Sequence, residues 1–288
     1  MKQLIFNADD FGMTRGVNDG IIRGHREGIL TSTTLMANGL AFDDAVQKAL
    51  ENPKLGVGCH LVLVGGKPVA APESVASLVD SQGNLPDSLA GFVARVTTGA
   101  IQPDHIEREL TAQIQKIRGA GIVPSHLDSH KHTHAHPWVM EVVGKVAQRF
   151  GITKIRRPIE NLRDSWETSR GEIQSVSGQI VAAGAVRVVA SRFETIAEKY
   201  KLICPDHFLG LAMTGQLGPA ALRRMAESVE EGITEIMLHP GICDADLAAS
   251  GSRLQQHRQD ELDGLLDAGV REAFLQRGIH FISYRELN

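Results

Sequence analysis

The sequence predicts an α/β fold in which helices cover a parallel sheet. Short apolar runs alternate with helical patterns along most of the chain, and this alternation is typical of βα units. The 288 residues suffice to bury a large core, and one α/β barrel of this length is ordinary. No repeat, low-complexity tract or linker interrupts the sequence. We therefore expect a single domain, residues 1–288, with an irregular insertion at about 65–103.

The first part of the chain alternates regularly between strand and helix patterns. The apolar run 4–6 predicts the first strand. Thr14 is suited to cap the following helix, and Gly28 is suited to end it. The β-branched run 29–36 predicts the second strand and the run 55–63 predicts the third. Between them, a helix from about 42 to 50 stops before Pro53.

Gly, Pro, Ser and Asp residues break the pattern between 65 and 103. Such a long irregular segment in a compact domain is more often a functional loop than a spacer. Ile106, Leu110 and Ile114 then mark one face of a helix, followed by a strand at 126–128, a helix at 138–150 and a strand at 154–157. Further helix and strand signals are at 173–183, 186–189, 193–200, 202–204, 220–230, 235–238, 261–273 and 280–283.

Composition excludes several classes of protein. The net charge of -4 offers no electrostatic footprint for nucleic acid, so we expect no such partner. The N-terminus lacks the long apolar core of a secretory signal, and no apolar run approaches the roughly 20 residues of a membrane span. Cys59, Cys204 and Cys243 lie far apart in apolar stretches, which favours reduced, mostly buried thiols. The cytoplasm is the expected compartment.

A histidine-dense segment is the strongest chemical signal in the sequence. Residues 126–136 hold histidines at positions 126, 130, 132, 134 and 136. Neutral imidazole is the commonest protein metal ligand near neutral pH. A solvated His-rich loop that binds metal adventitiously has a similar composition, so the segment needs partners elsewhere in the chain.

Polar clusters recur at the predicted strand ends, where parallel α/β sheets bind their ligands. We expect the clusters to form one common rim. They are Asp9-Asp10, Cys59-His60, Asp128 to His134, Arg156-Arg157, Asp206-His207 and His239.

The paired carboxylates of Asp9 and Asp10 repel one another unless a cation neutralises them. Alternation along the strand points them apart, so one can ligate a metal while the other faces substrate. The alternative is that one caps the next helix and the other is solvated. His60 interrupts an apolar strand, and a lone histidine of this kind is usually a satisfied core residue.

Several motifs together resemble the YdjC/ChbG family of carbohydrate deacetylases, and the closing Ser283-Tyr284-Arg285 is also similar to the end of that family. The motifs are Asn-Ala-Asp-Asp-Phe-Gly at 7–12, Gly-Ile-Leu-Thr-Ser-Thr-Thr at 28–34, Gly-Cys-His-Leu at 58–61, His-Leu-Asp-Ser-His-Lys-His-Thr-His at 126–134 and Leu-His-Pro-Gly at 238–241.

The resemblance implies a distorted (β/α) barrel and a catalytic metal held by one aspartate and two histidines. Matched by motif, the ligands are Asp10, His60 and His130. We expect one divalent ion, with Zn²⁺ favoured over Mg²⁺ because two imidazoles prefer a softer ion. Three protein ligands leave coordination positions open for water and substrate.

The resemblance also implies catalytic roles. Asp9, beside its ligating neighbour, is expected to be the general base, and His239 the general acid that protonates the departing amine. An arginine should orient the base, and we favour Arg156 over Arg157. The alternative for this arginine pair is a surface ion-pair network.

Four more residues are expected near the ligands. Asp128 could orient a ligating imidazole. We expect the chain to turn after His130, so that His132 and His134 line the substrate pocket or donate hydrogen bonds behind the ligands. Asp206, from another strand-end cluster, is grouped with them. His126 is expected to buttress its strand, and His136 to begin a helix.

The segments 191–210 and 65–69 look like the hopanoid-biosynthesis branch of the family, HpnK. The resemblance implies an N-acetylated sugar or glycolipid as substrate, namely an N-acetylglucosaminyl group on a hopanoid lipid, with transient membrane contact. A chitooligosaccharide is the alternative acceptor, and a homodimer stays open. Two other classes of protein compete. One is a noncatalytic metal- or glycan-binding protein, and the other is a metal-dependent phosphoesterase. The candidate residues of this sequence lack the extra bridging carboxylates that a two-metal phosphoesterase site requires.

Overall fold

A curled parallel sheet forms the centre of the computed structural model, which describes residues 1–161, 186, 190 and 192–288. The strands pair in the order β4-β3-β2-β1-β6-β5, and β7 pairs with the first residues of β1. The described strands are β1 Lys2–Phe11, β2 Ser32–Leu35, β3 Gly56–Leu61, β4 Leu127–Ser129, β5 His207–Leu209, β6 Gly232–Leu238 and β7 His280–Phe281.

Two single parallel bridges continue the curl of the sheet beyond β4. Leu127 bridges to Ile155, and Lys154 bridges to Ile203, in the segment that leads into β5. The sheet therefore curves back toward its other edge and forms a partial barrel. This confirms the predicted α/β fold with a distorted barrel.

Helices pack on the outside of the sheet. Among the described residues, no helix is both long and apolar enough to cross a membrane. Short 3₁₀ helices span Pro72–Val75, His130–Ala135 and Tyr284–Glu286. The α-helices of the described residues are α1 Arg15–Arg26, α2 Phe42–Glu51, α3 Leu89–Thr97, α4 Pro103–Gly119, α5 Pro137–Phe150, α6 Phe193–Lys199, α7 Pro219–Ser228, α8 Ala245–Ala249, α9 Gln256–Leu266 and α10 Ala268–Leu275.

Most elements lie where the sequence predicts them, and Thr14 caps α1 by accepting a hydrogen bond from the Val17 amide. The first strand is longer than predicted and includes Asp9 and Asp10. The predicted strands 154–157 and 202–204 are reduced to the single bridges. The signals at 173–183 lie outside the described residues, as do those at 187–189.

The predicted helix 261–273 is wrong because two helices occupy this part of the chain. Asp267 leaves the helical conformation, with ψ of 120°, and its side chain accepts a hydrogen bond from the Val270 amide. An aspartate in this position caps a new helix rather than continuing the old one. The expectation for the thiols needs a correction too, since Cys243 is exposed, whereas Cys59 is buried.

Within the part of the chain that the structure describes, two apolar clusters hold the fold together. The larger lies between the sheet and the helices, and it takes in Val75, Leu78 and Phe92 from the segment 65–103. The smaller lies inside the curl and is built on Ile5 and Tyr284. The inner face of the sheet beyond this small cluster carries buried polar side chains, and they form the candidate site.

Candidate metal and catalytic site

The register of the sheet brings the carboxyl ends of five strands together. Ala8 pairs with Leu238 of β6 on one side of β1 and with Thr33 of β2 on the other. His60 of β3 pairs with Asp128 of β4. The residues that follow these positions therefore share one rim, as the sequence predicts for polar groups at strand ends.

The end of β1 departs from regular strand geometry. Its register against β2 shifts between Ala8 and Phe11, and Asp10 has φ of 67°. This is the left-handed region, which non-glycine residues rarely adopt and which is often found at functional sites. Strict alternation therefore fails at Asp10. Asp9 and Asp10 are both buried, in two neighbouring groups of potential ligands that share His60, so the expectation that strand alternation alone separates them is wrong.

Asp10, His60 and His130 form a set of ligand atoms that could hold a metal ion. Asp10 Oδ1 lies 3.5 Å from His60 Nε2 and 3.2 Å from His130 Nδ1. His60 Nδ1 contacts Asp128 Oδ1 at 2.7 Å, so Nε2 is the nitrogen that faces the cluster. A carboxylate behind a ligating imidazole is the usual support in metal sites. The donor types and the spacing fit one divalent ion.

Electrostatics also favour a cation at this position. Burial alone would raise the pKa of Asp10, but the Arg258 guanidinium and hydrogen bonds from His130 and His60 hold it well below its usual value. Burial lowers the pKa of His60, yet the charges of Asp128 and Asp9 and the hydrogen bonds to Asp10 and Asp128 outweigh burial and raise it to about 10. The cluster therefore stabilises positive charge at the point where the three ligands meet.

Arg156 is the centre of a second, fully buried cluster. Its guanidinium donates to both oxygens of Asp9, at 2.7 and 2.6 Å. It also contacts Asp128 Oδ2 at 2.9 Å and Glu235 Oε1 at 2.8 Å. One cation thus compensates three carboxylates. The alternative of a surface ion pair is wrong for Arg156 and describes Arg157, which pairs with an exposed carboxylate.

A further group of potential ligands, Asp9, His60 and Asp128, lies next to the first. Arg156 Nη1 is 2.7 Å from Asp9 Oδ2 and 2.9 Å from Asp128 Oδ2. The guanidinium therefore lies between these two carboxylates and already neutralises them. A second metal ion would have to displace a buried arginine, so this geometry favours a single metal.

Arg156 is supported through its partner Glu235, which contacts Tyr284. The Tyr284 hydroxyl donates to Glu235, and the Tyr284 ring stacks on His126 with centroids 3.6 Å apart. A Cβ atom at Gly58 would lie 2.6 Å from the His126 ring, which explains the glycine in the Gly-Cys-His-Leu motif. These contacts fit the prediction that His126 buttresses its strand.

His239 follows β6 on the rim. Its Nε2 lies 4.0 Å from Asp9 Oδ2, and its Nδ1 lies 4.0 Å from Glu261 Oε2. Glu261 accepts hydrogen bonds from the backbone amides of His239 and Gly215, so it fixes the loop. Burial lowers the pKa of His239 to about 4 despite the Asp9 charge, and burial raises the pKa of Glu261 to about 7.

The rest of the histidine segment divides into different environments. The chain turns after His130, as predicted, through left-handed backbone at Lys131 and His132. His132 is half-buried, and its ring lies edge-on to Phe208. His134 is fully buried, with Nδ1 against Ser129 Oγ and Nε2 at 3.2 Å from the Arg156 carbonyl. His134 therefore holds the Arg156 backbone and does not line a substrate pocket.

Asp206 does not join the cluster, and its predicted position is wrong. The structure has β5 at His207–Leu209, so Asp206 precedes a strand instead of following one. Its carboxylate accepts a hydrogen bond from the Ile233 amide at 2.8 Å, at the amino-terminal end of β6. Asp206 thus lies at the end of the sheet opposite to His239.

Comparisons with known proteins show the family to which the chain belongs. The family model described as "YdjC-like protein" matches residues 3–276. The chain belongs to this family. It is 36% identical over 286 residues to a carbohydrate deacetylase of Geobacillus stearothermophilus, covering 99% of this chain and 98% of that protein. It is also 33% identical over 289 residues to a carbohydrate deacetylase of Brevibacillus brevis, covering 99% of each.

A solved structure shares the fold of this chain. The structure is of a proposed cellobiose-phosphate cleavage protein from Enterococcus faecalis V583. It superposes with a TM-score of 0.80 at 26% identity and covers 99% of this chain and 98% of that chain. The partial barrel is therefore shared across nearly the full length of both proteins.

Sequence reasoning missed several residues that hold the site together. Glu235 was detectable, because a charged side chain inside the apolar run 235–238 is unusual for a buried strand. Arg258 and Glu261 are three residues apart on α9, which gives one helix face, but nothing local links them to residues near 10 and 239. Thr34 donates to Asp128 Oδ2 at 2.9 Å. The missed residues are Thr34, Glu235, Arg258, Glu261 and, as a partner of Glu235, Tyr284.

Proposed function

We propose that this protein is a metal-dependent carbohydrate deacetylase that hydrolyses the acetamide of an N-acetylglucosaminyl group. The observation that carries the proposal is the meeting of Asp9, Asp10, His60, His130 and His239 from the ends of four strands. The family and the full-length identity to carbohydrate deacetylases support it.

Asp10, His60 and His130 would hold the ion. The set of one carboxylate and two imidazoles favours Zn²⁺ over Mg²⁺. When bound, the ion supplies a Lewis acid that polarises the acetyl carbonyl and lowers the pKa of a water molecule.

Asp9 would serve as the general base. Its carboxylate stays ionised at neutral pH, because the Arg156 charge and hydrogen bonds lower its pKa more than burial raises it. Arg156 fixes both oxygens, so the carboxylate cannot rotate away from the attacking water. In the reaction, the water oxygen bonds to the acetyl carbon, and the proton of the water passes to Asp9.

His239 would serve as the general acid. The C–N bond breaks, the sugar nitrogen takes a proton from His239 and acetic acid leaves, so the sum is amide plus water giving amine plus acetic acid. The His239 imidazole is neutral at pH 7 before the reaction, because burial lowers its pKa. It must therefore receive a proton before it donates one, and Asp9 Oδ2, 4.0 Å from Nε2, is positioned to pass one on.

The geometry disfavours the two competing classes of protein. A metal-buffering tract would need free imidazoles at 132, 134 and 136, but both ring nitrogens of His134 already bond to the protein, and His136 faces Thr97. A two-metal phosphoesterase would need a second cation site. Arg156 occupies that place between Asp9 and Asp128.

The proposal also specifies the molecule that carries the acetylated sugar. Resemblance of the segments 191–210 and 65–69 to the hopanoid branch supports an N-acetylglucosaminyl hopanoid, and a chitooligosaccharide is the alternative. An apolar groove beside the metal ligands would favour the lipid. A cavity of about 560 Å³ lined by Val57, Ile122 and Val123 lies at the amino-terminal ends of the strands. It is therefore not a groove for a lipid beside the metal ligands.

The experiment that tests the function is a substrate panel with acetate detection. Purified full-length protein loaded with Zn²⁺ is given N-acetylglucosaminyl hopanoid or diacetylchitobiose, and metal content is measured in parallel. We expect acetate release, with the faster substrate identifying the acceptor. Asp9→Asn should keep its metal and lose activity about 10²–10⁴-fold, the usual contribution of a general base. Unchanged turnover in Asp9→Asn would contradict the base, and no acetate from either substrate would contradict the function.

A further inference from the structure

Arg258 is a buried guanidinium that reaches the candidate metal site from the C-terminal part of the chain. It lies near the start of α9, and its side chain is 1% exposed. Its Nη2 donates to Asp10 Oδ2 over 2.6 Å, and its Nε donates to the Leu254 carbonyl over 3.3 Å. A buried cation without a charged partner is strongly destabilising. Asp10 is therefore the partner that allows Arg258 to be buried.

The two carboxylate oxygens of Asp10 have different tasks. Oδ1 faces His60 Nε2 and His130 Nδ1, whereas Oδ2 receives the guanidinium of Arg258. The left-handed backbone at Asp10 removes the guidance that strand alternation would give its side chain. In this orientation of the carboxylate, one oxygen contacts the Arg258 guanidinium and the other faces the two imidazoles.

The backbone of Arg258 is itself fixed to the rim. The Gly241 amide donates to the Arg258 carbonyl over 3.1 Å, and Gly241 belongs to the loop that carries His239. A Cβ atom at Gly20 would lie 2.5 Å from the Gly241 Cα, so α1 and this loop pack closely. Arg258 is thus held at both its backbone and its side chain, which a residue that orients a ligand requires.

We propose that Arg258 is a positioning residue for the metal site, acting through Asp10. Its guanidinium holds Oδ2 so that Oδ1 is presented to the metal together with His60 and His130. The inference rests on the metal site of the proposed function. Loss of a group that orients a metal ligand typically lowers metal affinity 10–100-fold.

The test is a Co²⁺ titration of the metal-free full-length protein, followed by visible absorption. The dissociation constant reports affinity, and the absorption spectrum reports coordination geometry, which a purely structural role would not change. The variants are Arg258→Met, which removes the donors, and Arg258→Lys, which keeps a charge on a flexible stem. The matched control is Gln259→Ala on the same helix, where Gln259 pairs with Asp263 at the surface.

We expect wild type and Gln259→Ala to bind one Co²⁺ with equal affinity and the same spectrum. Arg258→Met should bind 10–100-fold more weakly with an altered spectrum, and Arg258→Lys should be weakened by a smaller factor. If Arg258→Met does not fold, Arg258→Lys decides the question. A variant with wild-type affinity and spectrum would overturn the role of Arg258 and leave the metal site standing. No Co²⁺ binding by wild type would overturn both.

Discussion

Asp9 and Asp10 are neighbours in sequence, yet their surroundings differ in one decisive respect. Both oxygens of Asp9 are bonded to Arg156, whose positive charge also serves Asp128 and Glu235. Asp10 has a guanidinium on one oxygen only, and its other oxygen faces two imidazoles. The Arg156 guanidinium supplies the cation of the Asp9 cluster, whereas Asp10 presents an oxygen, together with two imidazoles, that suits a cation from solution.

The comparison shows how one strand end can supply two carboxylates of different chemistry. A shared environment would force two adjacent aspartates to compete for one cation, and one pKa would rise. Separate arginines keep both ionised here, because each pKa is lowered more by its guanidinium and hydrogen bonds than it is raised by burial. Asp9 can then accept a proton while Asp10 ligates a metal.

Removing the Arg156 cation should have the largest effect. Arg156→Met leaves Asp9, Asp128 and Glu235 buried without their partner, so we expect a loss of about 3–5 kcal/mol in the free energy of unfolding. Urea denaturation at pH 7 measures it. Arg157→Met, which removes a partly exposed partner of Glu194, should change the stability by at most about 0.5 kcal/mol. Equal effects of the two substitutions would contradict the central position of Arg156.

A buried carboxylate without a guanidinium bonded to it should behave differently from Asp9 and Asp10. The pKa of Glu261 is raised from 4.5 to about 7, because the effect of burial outweighs the opposite effect of its hydrogen bonds from backbone amides. A carboxyl group with a raised pKa binds its proton more tightly in the folded state. Its contribution to stability is therefore greatest below pH 4.5 and falls as the pH rises from 4.5 to about 7.

Glu261→Gln removes this titration. The stability of the variant relative to wild type should improve between pH 4.5 and 7.5, by up to about 3 kcal/mol. The constant cost of the altered hydrogen bonds does not change with pH. Urea denaturation of the two proteins across this range measures the difference, and a difference that is independent of pH would contradict the raised pKa.

Trimming the support beneath Arg156 should have a smaller effect. Tyr284→Phe removes the hydroxyl that donates to Glu235 but keeps the ring stacked on His126. We expect a loss of about 1–2 kcal/mol in stability, since one buried acceptor loses its partner. Acetate release should change little, because Arg156 still holds Asp9. A large loss of turnover at unchanged stability would show that Glu235 acts directly on the reaction.

The smallest effect should come from Asp206, which lies at the opposite end of the sheet. Asp206→Ala removes one hydrogen bond to the Ile233 amide, so we expect a loss of about 0.5–1.5 kcal/mol in stability. Turnover and metal affinity should equal those of wild type. A drop in acetate release would reinstate Asp206 as a substrate-binding residue and contradict its position in the structure.

The sequence predicts much of the rim because parallel strands place their carboxyl ends together. The positions of Asp10, His60 and His130 follow from that rule and from motif resemblance. Asp206 shows the limit of the rule. The sequence predicts a strand at 202–204, which ends before Asp206, whereas β5 begins at His207 and leaves Asp206 at the opposite end of the sheet. A buried His134 shows another, since its local pattern matches that of a solvated tract.

Long-range contacts and backbone reversals are the parts that sequence patterns do not encode. Arg258 and Asp10 are 248 positions apart, so no local periodicity connects them. The left-handed conformation of Asp10 depends on the tertiary structure, because aspartate has no strong intrinsic preference for it. The contact of Arg258 with Asp10, on which the contrast between Asp9 and Asp10 depends, is found only in the three-dimensional structure.

The separate roles of Asp9 and Asp10 are tested most directly by metal stoichiometry in two isosteric variants. Asp9→Asn and Asp10→Asn are loaded with Zn²⁺, dialysed and assayed for bound metal per chain. Asp9→Asn should retain one ion, because Asp10, His60 and His130 are intact, whereas Asp10→Asn should retain none. Loss of metal from Asp9→Asn, with retention by Asp10→Asn, would contradict the account.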